Sequence, residues 1–154
     1  MIYTIPFLYL IAGRLHGWGG FTGCKLIAKL IIGLGFGYAV YLTDNSLEHA
    51  GVAAIASIVG FSLPHGKFFT KPYLFTLKGA AIAAIPAVYM MSIPLIVGSS
   101  LAWGLAYYVS RKTVGYDASQ EGKLFAPKIW TFWGEIMSCF LMGIVLVLVV
   151  SYDK

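Results

Sequence analysis

From Gly79 to Ser110 the chain runs 32 residues without one formally charged side chain. A helix that crosses a membrane needs about 20 apolar residues, within a range of roughly 17 to 25. Thirty-two is long for one crossing and short for two. Helices of water-soluble domains alternate apolar and polar faces, and this block does not. It predicts helices immersed in lipid and leaves their number to be argued.

The rest of the chain repeats the pattern in smaller units. Met1 to Gly13 is apolar, and Arg14 to Lys29 is a glycine-rich basic stretch. Leu30 to Thr43 is apolar and extends back to Leu26 if Lys25 and Lys29 snorkel to the membrane surface. Asp44 to His49 is a short acidic turn, Ala50 to Pro64 is apolar, and His65 to Lys78 is basic. Arg111 to Lys128 is a mixed polar loop, and Ile129 to Tyr152 is apolar apart from Glu135. Charged residues make up 11% of the chain and hydrophobic ones 59%, against about 25% charged in a typical soluble domain. The uncharged start lacks the basic region of a secretory signal and is expected to be a retained first span. Cys24 and Cys139 form no closely spaced pair, so no disulfide framework is expected.

Two arrangements fit the 32-residue block. In the first, Tyr73 to Met91 is one span with Lys78 snorkelling, Ser92-Ile93-Pro94 is a turn, and Leu95 to Ser110 is a second span. Pro94 has no amide hydrogen to donate and disfavours helix at Ile93, so a break there costs little. The rival is one long helix kinked at Pro86 and Pro94. The basic residues favour the first. With a turn at Pro94, the basic loops Arg14–Lys29, His65–Lys78 and Arg111–Lys128 share one side and hold ten of the eleven Lys and Arg residues. Basic loops collect on the cytoplasmic face of inner membranes. The expectation is an all-α integral membrane bundle of six short helices in three hairpins, or five if residues 73–110 form one kinked span. Both termini would then lie outside the cell.

A weak repeat accompanies the hairpins. His16-Gly17, Phe21-Thr22, Lys29 and Ala39-Val40-Tyr41 recur as His65-Gly66, Phe69-Thr70, Lys78 and Ala87-Val88-Tyr89, offset by 48 or 49 residues. Within one transmembrane domain, residues 1–43 and 50–91 would be tandem copies, with a third hairpin over 95–152. Coincidence in a low-diversity apolar sequence is the alternative.

Few residues offer chemistry. His16, His65 and Lys67 lie at loop entrances, where they would meet anionic lipid head groups or simply end helices beside glycine. No further ligands accompany the histidines, so neither a metal nor a cofactor is expected. Gly17 to Lys25 has the glycines of a phosphate loop, but Leu26 stands where Ser or Thr would follow the lysine, and the flanks are apolar. Asp44, Glu48 and His49 match no calcium-loop spacing and read as a solvated turn. Gly33 and Gly37 form a small-residue ridge suited to helix packing, within the chain or between copies. Glu135 is the one acid inside an expected span, and an intramembrane carboxylate marks function by default. It lies seven residues past Lys128 and near Trp130 and Trp133, roughly 10 Å deep at 1.5 Å per residue. An interfacial pair with Lys128 and a pathway role both fit that depth.

The apolar start Ile2–Leu10, the two His-Gly loops and the closing Trp130-Thr131-Phe132-Trp133-Gly134-Glu135 resemble small uncharacterised membrane proteins of tailed phages. That resemblance implies an inner-membrane setting and transfers no activity. Three functional classes remain: a membrane-embedded interaction or permeabilising factor, a small channel or transporter, and a membrane enzyme acting on lipid head groups. The first leads at this stage, because the spans show a single ionisable residue and no nucleophile paired with a base. The expected partners are the lipid bilayer, anionic head groups and another copy of the chain, rather than nucleic acid.

Overall fold

The computed structural model describes residues 2–17, 22–63, 72–114 and 134–152. Among these there are six α-helices and no strand. A 3-10 turn at Ile2–Thr4 leads into α1 (Ile5–Gly17), followed by α2 (Thr22–Asp44), α3 (Leu47–Phe61), α4 (Pro72–Tyr89), α5 (Ile93–Val114) and α6 (Glu135–Tyr152). The stretches Gly23–Asp44 and Glu135–Tyr152 are long and apolar enough to cross a membrane. Leu47–Phe61, Tyr73–Tyr89 and Ile93–Val109 are shorter apolar helices.

Local chemistry sets the helix ends. Asn45 closes α2 in the left-handed region at φ 56, which asparagine tolerates better than most residues. Ser46 then caps α3, its hydroxyl accepting from the His49 backbone N–H at 3.3 Å, with Glu48 in the positive first turn. Two residues thus reverse the chain. The break between α4 and α5 falls at Met90–Ser92, earlier than the Ser92-Ile93-Pro94 turn expected. Met91 adopts φ 48, the Met91 N–H donates to Val88 O and the Ser92 N–H to Ala87 O, a Schellman closure. Pro94 lies in the first turn of α5, where a missing amide hydrogen costs nothing.

The basic stretch Arg14–Lys29 is mostly helical. Arg14 and His16 occupy the last turn of α1, and Lys25 and Lys29 the first turns of α2. Lys25 is exposed and Lys29 half-buried.

Each helix packs against its neighbours in the chain, and α6 returns to α1, closing a ring. The helices alternate in direction. His16, Phe61 and Glu135 meet at one end, whereas His49 stacks on Tyr89 at the other with ring centroids 4.4 Å apart. Small residues allow the closeness. A Cβ on Gly33 would stand 2.8 Å from Ala54 O, and one on Gly37 the same distance from Ala50 O, so both lie in the α2–α3 seam. Gly13 and Gly143 hold α1 against α6 in the same way.

The core is filled by Tyr9, Phe36, Phe61, Phe75, Ile82 and Trp103, while large apolar side chains such as Phe7, Leu34, Ile55, Val88 and Leu148 cover the outside. Pro86 stands inside α4 and leaves the Ile82 carbonyl without its helical donor. Ser57 of α3 supplies one: its hydroxyl donates to Ile82 O at 3.0 Å, with both residues buried. The two positions should therefore be coupled. Ser57→Ala is expected to cost about 1–3 kcal/mol, the penalty of a buried acceptor left unmet. In a Pro86→Ala background, where the helix amide returns, the same change should cost clearly less. Denaturation of the purified protein measures both, and equal costs would show that the serine does not answer the proline.

Candidate functional site

Three ionisable side chains converge inside the end of the bundle where α1 and α3 finish and α6 begins. Glu135, the first residue of α6, is fully buried, and its Oε2 lies 2.6 Å from His16 Nδ1 of α1. His16 is nearly buried too, its ring packed on Phe61 of α3 with centroids 4.7 Å apart. Lys78 of α4 reaches the same ring from another side, with Nζ 5.4 Å from the Phe61 centroid and 4.9 Å from that of Trp103. The Lys78 ammonium donates to Leu63 O at 2.8 Å, just past the end of α3.

Helix polarity explains why each group stands where it does. Unmet N–H groups make a helix start positive, and unmet carbonyls make its end negative. Glu135 sits at the start of α6, His16 in the last turn of α1, and Lys78 against the carbonyls ending α3. Each position sets its side chain against helix-end groups of complementary polarity, which offsets part of the cost of taking a polar group out of water. The Phe61 and Trp103 rings add the attraction of an aromatic face for an ammonium.

Two further polar groups line this interior from α5. Trp103 and Ser99 are fully buried, and neither Trp103 Nε1 nor Ser99 Oγ has a hydrogen-bond partner among the described residues. They stand four residues apart, on one face of the helix. Towards the opposite end the core is apolar, with Phe36, Ala39, Val40, Leu95 and Leu146.

The geometry revises two expectations. Lys78 does not snorkel to the surface; it is 1% exposed, because its face of α4 looks into the bundle. Glu135 is not at a wet interface: it is fully buried, and its described partner is His16, 119 residues away. His65, Lys67, Lys128, Trp130 and Trp133 lie outside the described residues. Gly33 and Gly37 belong to the α2–α3 seam and take no part in the cluster. Asp44 and His49 pair at the opposite end of the bundle. Among the described residues no group of three His, Cys, Asp or Glu could hold a metal ion. Sequence reasoning missed Lys78 as a site residue, although its recurrence with Lys29 in the repeat was a signal.

Removing one partner of a buried pair strands the other. His16→Leu is expected to cost about 3 kcal/mol or more. Adding Glu135→Leu to His16→Leu should recover part of that loss, and unfolding of the two single variants and the double variant measures the coupling. Strictly additive costs would show that the contact carries no energy. No family model, characterised protein or solved structure matches the chain.

Proposed function

We propose that this chain is a multi-pass protein of an inner (plasma) membrane, and that its bundle houses a proton- or ion-binding site of a small channel or transporter. The observation that carries this reading is the arrangement of Glu135, His16 and Lys78 around Phe61, inside a bundle whose outer surface is apolar. A soluble protein places such groups the other way round. Leu34, Ile55, Val88, Leu101 and Leu148 would expose a continuous apolar coat to water, which monomeric proteins avoid. In lipid that coat costs nothing, and the buried ionisable groups become the expensive part of the molecule.

Three such groups at one place favour transport over a passive interaction role. A structural pair needs only two charges, and well-packed apolar residues often serve stability as well. The third group, together with Trp103 Nε1 and Ser99 Oγ, gives the interior both donors and an acceptor for a passing proton or small ion. The distribution of basic residues supports a cytoplasmic position for this end of the bundle. The apolar packing of Phe36, Ala39, Val40, Leu95 and Leu146 then acts as the barrier towards the outside.

Purified protein in vesicles carrying a pH gradient tests this. Wild type is expected to dissipate the gradient, and Glu135→Gln, which keeps the shape and removes the charge, should slow that by tenfold or more. Val88→Ala, on the outer surface, should leave it unchanged. Dissipation that ignores Glu135→Gln would mean a permeabilising factor. Vesicles as tight as protein-free ones would leave a membrane-embedded interaction protein.

A further inference from the structure

The outer surface is not uniformly smooth. A groove of about 1200 Å³ runs between α4, α5 and α6, and its lining includes neither Glu135, His16 nor Lys78. Its walls are Tyr73 and Thr76 from the first turns of α4, the stretch of α5 from Gly98 to Tyr108, and Leu141 and Val145 from the middle of α6. No later turn of α4 or α6 contributes.

We propose that this groove binds the acyl chains of an anionic glycerophospholipid from the leaflet at the basic end of the bundle; this rests on the membrane reading above. Three observations select that occupant. The first is length. Gly98 to Tyr108 is eleven residues, ten helical rises of 1.5 Å or about 15 Å. That is half of a hydrocarbon core about 30 Å thick, so the groove serves one leaflet. A partner's membrane-crossing helix would need a groove running the full thickness, and this one stops where α6 is half traversed. The second is polarity. The walls are apolar, and the tyrosines Tyr73 and Tyr108 stand at the basic end, where amphipathic rings meet head groups. The third is charge. Arg111 and Lys112 follow Tyr108 by three and four residues on α5, one turn further towards that surface. Basic residues just outside the hydrocarbon attract anionic head groups.

The full chain reconstituted with equal parts phosphatidylglycerol and phosphatidylcholine, then released for native mass spectrometry, gives the test. Wild type is expected to retain phosphatidylglycerol over phosphatidylcholine roughly tenfold. Leu101→Trp with Leu105→Trp fills the groove from its exposed wall and should abolish retention. Ile55→Trp with Val59→Trp, on the outer face of α3, should not. Arg111→Gln with Lys112→Gln, in the last turn of α5, should erase the preference while some lipid is still held. Equal retention of the two lipids by wild type would overturn the proposal. So would undiminished retention in the groove-filled protein, or a dimer that forms as lipid leaves. A chain recovered from cells without membranes would overturn both this inference and the membrane reading. A membrane-embedded chain that dissipates the pH gradient yet holds no lipid would overturn this one alone.

Discussion

The bundle depends on the contact between its first and last helices. Where α1 ends and α6 begins, Gly13 lets the backbones approach so closely that a Cβ would stand 2.5 Å from Glu135 O. His16 meets the Glu135 carboxylate one turn further on. Without that seam the other five contacts leave an open, curved layer of helices, and the interior of that layer carries charge. Closure sequesters the carboxyl group, and the carboxyl group in turn demands closure, since a buried polar group stripped of its partner costs a few kcal/mol.

The same economy governs the rest of the interior. Ser57 answers the carbonyl that Pro86 leaves unmet. Tyr9 donates to Ile32 O at 2.8 Å across the α1–α2 seam. Lys78 answers the end of α3. Each polar contact fixes a register that apolar packing alone leaves less defined, because apolar contacts are non-directional and an unmet buried polar group is costly. Site and scaffold are therefore hard to separate here: Lys78 both ends a helix and brings a charge to the cluster.

Spacing of charges made the helix number legible. Ten of the eleven basic residues fall in three stretches, and that periodicity implied three hairpins without any appeal to packing. Turn positions were less legible. Pro94 marks the α4–α5 break, but it starts a helix instead of ending one, and the closing residue is Met91, whose left-handed backbone no propensity favours. The candidate site was half legible. Glu135 announced itself as a charge among apolar residues. Its contact with His16 did not, because His16 stands on another helix 119 residues away, where a local search does not reach; Lys128 lies outside the described residues. Lys78 was misjudged for a related reason. A lysine near a helix start can snorkel or turn inwards, and the choice rests on which face of α4 looks into the bundle. That face is not marked in a helix apolar on every side.

The separation of His16 from Glu135 also orders events in time. A chain made from its N-terminus delivers His16 119 residues before its partner. At roughly 5–20 residues per second, α1 waits about 6 to 24 seconds before the ring can close. During that interval the α1 flank around Gly13 and the α5 flank around Gly98 are both uncovered, and the interior they should enclose already holds Lys78. The last helix is therefore the latch of the assembly, and a chain halted before it displays two adhesive edges and a misplaced charge.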